Sequence, residues 1–175
     1  MNCCMTDDTG GAISSEANEA VCMGGELHET GRCVSCKSRG KPVSRKTVLL
    51  MLKPDLLERA MHGSYSFCSA GDCSIVYFED KGPEHFTVDD LRIRVGVKVK
   101  DDPIALCYCF GFDEKHIRDE LQRTGNTGIS DKVSGLIREG LCACETRNPA
   151  GVCCLGEVNN ATKRLKLELA ATQNG

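Results

Sequence analysis

Thirteen cysteines fall in tight groups along a chain of 175 residues. They read as Cys33-x2-Cys36, Cys68-x4-Cys73, Cys107-x-Cys109 and the run Cys142, Cys144, Cys153, Cys154, with Cys3, Cys4 and Cys22 near the start. An odd number does not make a complete disulfide framework. The opening residues MNCCMTDDTGGAISSEANEA carry neither a cationic segment nor an apolar one, so they do not read as a signal peptide. The longest apolar run, VLLML at 48–52, is too short to enter or span a membrane. We therefore expect a cytoplasmic, reducing setting, where grouped thiols serve as metal ligands more readily than as disulfides.

Composition narrows this further. The chain has no tryptophan and 5% aromatic residues, so large aromatic packing is not expected to dominate the core. Small domains short of core commonly gain stability from bound metal. A net charge of −3 and no long basic run argue against a nucleic-acid partner. No Walker, GxGxxG or Ser-His-Asp pattern occurs, which points to metal handling or electron transfer rather than substrate turnover.

The chain divides by pattern into four parts. Residues 1–30 are polar, Gly-rich and without period, and read as a flexible extension. Residues 31–102 read as a β-rich unit. TVLLML (47–52) is expected as a strand or buried segment, and Pro54 opens a short helix that Gly63 ends. YSFCSAGDCSIVYF (65–78) reads as two strands around a Cys-bearing turn, and FTVDDLRIRVGVKVK as two further β stretches. Residues 103–167 read as helical, and 168–175 as a tail. There DEKHIRDELQR is a helix capped by Asp113 with Ile117 and Leu121 on one face. SDKVSGLIREG is a second helix, capped by Ser130 and stopped by Gly140, with Val133, Leu136 and Ile137 inward. A last helix is expected from about Cys153 to Leu167. The fold class is thus α+β: a small metal-stabilised β-rich unit followed by a helical one.

Cys33, Cys36, Cys68 and Cys73 form two pairs 31 residues apart, each at a turn beside a strand. Two such pairs can converge on one tetrahedral ion, which suits a closed, structural zinc site. His62 is an alternative fourth ligand. In the second half, Cys107 and Cys109 are too close in sequence to bond each other easily, but both can face a third partner. They precede an expected helix, where sulfurs sit near free amides. Cys144 follows after 34 residues, with Cys142, Cys153 and Cys154 nearby. The readings here are a [2Fe–2S] cluster, a second zinc, or a group of buried thiols. His116 reads as a surface residue beside this set.

Together, CVSC, FCSAGDCSIVYF, CYC and CETRNPAGVCC resemble the zinc and [2Fe–2S] region of the archaeal-type CopZ copper chaperone family. The second half resembles its bacterioferritin-associated-ferredoxin-like (BFD-like) cluster domain. The resemblance spans roughly residues 30–165. It implies zinc on Cys33, Cys36, Cys68 and Cys73. It implies the cluster on Cys107, Cys109, Cys144 and one of Cys153 and Cys154; Cys154 is the better match at the expected helix start. It also implies that the cluster supports reduction of Cu(II) to Cu(I), with a metal-transporting ATPase or a heavy-metal-associated carrier, and an electron donor protein, as partners. The 175 residues carry no heavy-metal-associated module after Cys154, so a separate carrier is expected. NCCM and VCM offer soft ligands (Cys3, Cys4, Cys22) for Cu+ or another thiophilic ion, against the plainer reading of incidental cysteines in a tail. The alternatives to a copper chaperone are a plain [2Fe–2S] electron carrier and a redox-sensing regulator.

Overall fold

A computed structural model of the chain describes residues 31–173. The expected N-terminal extension, with Cys3, Cys4 and Cys22, lies outside the described residues. The fold is α+β. Strands β1 (Lys41–Val43), β2 (Tyr65–Phe67), β3 (Ile75–Glu79) and β4 (His85–Thr87) form an antiparallel sheet in chain order. Helix α1 (Arg45–Met51) and a 3₁₀ helix at Pro54–Ala60 lie between β1 and β2. A two-stranded hairpin, β5 (Ala105–Cys107) and β6 (Phe112–Asp113), leads into α2 (Glu114–Thr124). Then follow α3 (Ile129–Arg138), the single turn α4 (Cys144–Arg147) and α5 (Leu155–Gln173).

The expected strand pair at 65–78 is present, with Phe67 opposite Tyr77 and Ser66 opposite Phe78. The expected strand at 47–52 is instead α1. A five-residue apolar run does not distinguish strand from buried helix. Here Ser44 decides: its hydroxyl accepts from the Thr47 amide and starts the helix. Helical spacing then buries Thr47, Val48 and Met51 and leaves Leu50 exposed. The expected second β stretch at 92–98 is also not a strand. Its backbone is used elsewhere: the Arg92 amide donates to the Met51 carbonyl, and the Gly96 amide to the Tyr108 hydroxyl. A Cβ at Gly96 would lie 1.9 Å from the Ala105 carbonyl oxygen, so the close crossing requires glycine.

In the second half Asp113 caps α2 as expected, reciprocated by His116. Ser130 does not cap α3. The α3 N-cap is Gly128, whose amide is held by the Glu120 carboxylate, while the Ser130 hydroxyl meets Thr162. Gly140, with φ +72°, follows the end of α3. Helix α5 runs through Leu167 to Gln173, so the expected tail is mostly helix. One-turn α4 stands between α3 and α5.

The aromatic residues are few but concentrated. Of eight Phe and Tyr residues, Tyr65, Phe67, Tyr77, Phe78 and Phe86 are buried in the sheet half, so aromatic packing does shape that core, contrary to the expectation from composition. The other core is aliphatic and helical, built on Ile117, Leu121, Ile129, Val133, Val158 and Leu165 around buried Cys107, Cys144 and Cys154. The two meet where α1 rests on α4.

Candidate metal centres

The first centre is built by two turns of the sheet half. In the first, the Cys33 amide donates to the Ser38 carbonyl at 2.9 Å, and Lys37 adopts φ +61° to close the knuckle that carries Cys36. In the second, the Cys68 amide donates to the Val76 carbonyl at 2.9 Å, and the Cys73 amide to the Ala70 carbonyl at 3.2 Å. The sulfurs of Cys33, Cys36, Cys68 and Cys73 all lie within 4.8 Å of one another. Cys33–Cys73 is 3.7 Å and Cys36–Cys68 is 3.6 Å. A tetrahedron with zinc–sulfur bonds of about 2.3 Å has edges of about 3.8 Å, so the donor set fits zinc. His62 is exposed and outside this group.

Charge is uneven around this set. The Ser38 hydroxyl, then the Ser38 amide, lower the exposed Cys36 thiol to about 6. Burial pushes Cys68 up to about 12 and raises Cys33. Cys36 is thus the accessible, readily ionised ligand, and metal would supply the charge that ionises the buried ones.

The second set is built differently. Cys107 ends β5 and Cys109 lies in the β5–β6 turn, so this pair sits on a hairpin and not at a helix mouth as expected from sequence. Cys144 opens α4. Cys154 immediately precedes α5, and its carbonyl accepts from the Val158 amide at 3.1 Å. The Cys154 thiol donates to Cys107 at 3.1 Å, and Cys109 lies 3.8 Å from Cys144. The structure therefore brings the four together as two pairs. Among the described residues, only the Cys33 set has three or more potential ligands within 4.8 Å of one another. The second set is therefore less compact than the first. Two pairs of sulfurs are what a two-iron cluster requires, with two thiolates on each iron.

Amides surround these sulfurs. Ala143 donates to Cys109 at 3.4 Å. The Cys154 thiol, and behind it the amides of Phe110 and Cys109, lower Cys107 to about 6. The shared proton with Cys107, then burial, raises Cys154. Burial pushes Cys144 up to about 12. Cys154 is buried while Cys153 is exposed; Cys142 is half-buried. The His116 ring is held by Asp113 at 2.7 Å as part of the helix cap.

A family model, zf_CopZ, described as a zinc binding domain, matches residues 30–92, the span holding Cys33, Cys36, Cys68 and Cys73. The copper chaperone CopZ of Archaeoglobus fulgidus is 29% identical over 148 residues, which are 79% of this chain and 70% of that protein. The X-ray structure of the Archaeoglobus fulgidus CopZ N-terminal domain matches with a TM-score of 0.60 at 30% identity, covering 74% of this chain and 95% of that one. The chain belongs to the CopZ family. Within this CopZ-family chain, Cys107, Cys109, Cys144 and Cys154 lie beyond the zinc binding span. No helix among the described residues is long and apolar enough to cross a membrane.

Sequence reasoning missed the residues that hold the second set from outside. The Tyr77 hydroxyl donates to the Pro149 carbonyl at 2.7 Å, and the Thr47 hydroxyl donates to the Glu145 carbonyl. These partners are 72 and 98 residues apart, and neither side chain belongs to a metal-ligand pattern.

Proposed function

We propose that this CopZ-family chain is a redox protein of the copper-chaperone type. Zinc is held in a zinc-binding unit (31–102) by Cys33, Cys36, Cys68 and Cys73. A [2Fe–2S] cluster is held in a BFD-like unit (103–167) by Cys107, Cys109, Cys144 and Cys154. The observation that carries the reading is the contrast between one compact group of four sulfurs and one extended group of two pairs. The buried fourth thiol favours Cys154 over Cys153.

When bound, the cluster supplies one electron, the number needed to convert Cu(II) to Cu(I). The protein's own part is to exclude water and to hold the sulfurs. The aliphatic wall of Ile117, Leu121, Val158 and Leu165 packs around buried Cys107, Cys144 and Cys154, and the Ala143 amide steadies half-buried Cys109. Copper is cargo, and exposed Cys153 and half-buried Cys142 are soft donors beside the site. The matching relative's copper role supports this choice of cargo. The setting is cytoplasmic, with an electron donor protein upstream and a copper transporter or carrier downstream.

Metal analysis of anaerobically purified protein tests the reading, with EPR after dithionite. One zinc, two irons and two sulfides per chain are expected. Cu(II) added to the reduced protein should reoxidise the cluster one electron at a time and appear as chelatable Cu(I). Two zincs and no iron would overturn the cluster. An intact cluster that neither reduces nor retains copper would leave a plain electron carrier.

A further inference from the structure

Residues 144–154 present two of the four sulfurs assigned to the cluster, yet the segment has little structure of its own. Its only helix is the single turn α4. Internally it is tied by buried Asn148, whose side chain donates to the Val152 carbonyl at 2.7 Å and accepts from the Ala150 amide at 3.0 Å. Apart from the thiol contacts with Cys107 and Cys109, the side-chain hydrogen bonds that reach its backbone from outside come from the sheet half. Thr47, on α1, donates to the Glu145 carbonyl. Fully buried Tyr77, on β3, donates to the Pro149 carbonyl at 2.7 Å. Packing adds to this: Ala150 lies against the sheet-half core, and a Cβ on Gly151 would come 3.2 Å from Val43.

We infer that Tyr77 and Thr47 are positioning residues for the [2Fe–2S] site, through which the zinc half fixes the loop that carries Cys144 and Cys154. This rests on the cluster reading above. The path is short. Strand β3 begins at Ile75, two residues after Cys73, and the amide of Cys68, which directly follows β2, donates to the Val76 carbonyl. The turn that holds zinc therefore sets the start of the strand that carries Tyr77. Without the Tyr77 hydroxyl, the Pro149 carbonyl loses its partner in a buried place, a cost that loosening of the loop relieves. A looser loop moves Cys144 relative to Cys109 and exposes the cluster to attack.

Wild-type protein, Tyr77→Phe, Thr47→Val and a control, Tyr65→Phe, would be prepared anaerobically. Tyr65 belongs to the same core and its hydroxyl donates to the His62 carbonyl at 3.0 Å, away from the loop. The readouts are zinc, iron and sulfide content, the rate of bleaching by an iron chelator, and amide exchange at 145–151. Tyr77→Phe should keep its zinc, lose the cluster about fivefold faster, as one neutral hydrogen bond allows, and exchange faster across the loop. Thr47→Val should shift the same way, and it decides the matter if Tyr77→Phe does not fold. Tyr65→Phe should bleach as wild type. Wild-type rates in both loop variants, or equal acceleration by Tyr65→Phe, would overturn the inference with the cluster reading intact. Wild-type protein without iron and sulfide would overturn the reading and this inference together.

Discussion

The two thiol sets are held in opposite ways. In the sheet half, two turns place four sulfurs within 4.8 Å of one another, and three of the four are buried. The buried thiols there pack with Ile75 and Phe78, beside the larger aromatic core of Tyr65, Phe67, Tyr77 and Phe86. In the helical half, a hairpin supplies Cys107 and Cys109 while a distant loop supplies Cys144 and Cys154. The sulfurs there form two pairs, and the fully buried side chains around them are aliphatic, with Phe110 and Phe112 only partly buried. A site closed by one sheet's turns gathers tightly enough for one ion. A site shared between a hairpin and a loop is longer, admits a cluster, and depends on outside support for the loop.

The largest test of this contrast is removal of a buried ligand from the compact set. Cys68→Ser should abolish zinc binding and unfold the sheet half. Structural zinc contributes on the order of 10 kcal/mol in small domains, about the whole stability of a typical fold. Zinc content and near-ultraviolet circular dichroism measure it. A zinc-loaded, folded Cys68→Ser protein would remove the basis for calling that set closed.

A paired comparison in the extended set comes next. Cys154→Ser should abolish the visible absorption of the iron–sulfur chromophore, because it removes half of the Cys107–Cys154 pair. Exposed Cys153→Ser should leave the chromophore in place. The reverse result would exchange the two ligands and break the pairing.

A core substitution asks whether the halves unfold separately. Ile117 is fully buried, and Ile117→Ala should cost about 2–5 kcal/mol through lost contacts and the cavity left behind. In denaturant, a single transition shifted as a whole would make the halves one cooperative unit. A shift in helical signal alone would make them two.

The smallest effect expected is electrostatic. Lys132, Thr127 and the Gly128 amide hold the Glu120 carboxylate at about 2, below its ordinary value of 4.5. The unfolded chain therefore binds this proton more readily. The stabilisation is present above about pH 4.5 and fades as pH falls toward 2. Glu120→Ala should cost no more than about 1 kcal/mol at pH 7, with the difference shrinking between pH 4.5 and 2.5. A difference that grows on acidification would contradict the sign.

Much of this was legible where the signal is local. Asp113 capping α2, the β2–β3 hairpin around its cysteine turn, and Pro54 opening a helical turn each rest on residues a few positions apart. Helix α1 was misread because a short apolar run has no period long enough to judge, although Ser44 was there as a cap. The 92–98 segment misled for another reason. Its alternation is genuine, but its amides are taken by partners remote in sequence.

The sequence by itself determined which thiols lie close along the chain and that they suit metal rather than disulfides. Spacing and softness of ligands are covalent facts. Only the tertiary structure decided that Cys33, Cys36, Cys68 and Cys73 make one compact group while Cys107, Cys109, Cys144 and Cys154 make two pairs. It alone decided that Tyr77 reaches Pro149 across the molecule. Those distances follow from how a sheet and a set of helices bury their apolar faces against each other, which no run of neighbouring residues encodes.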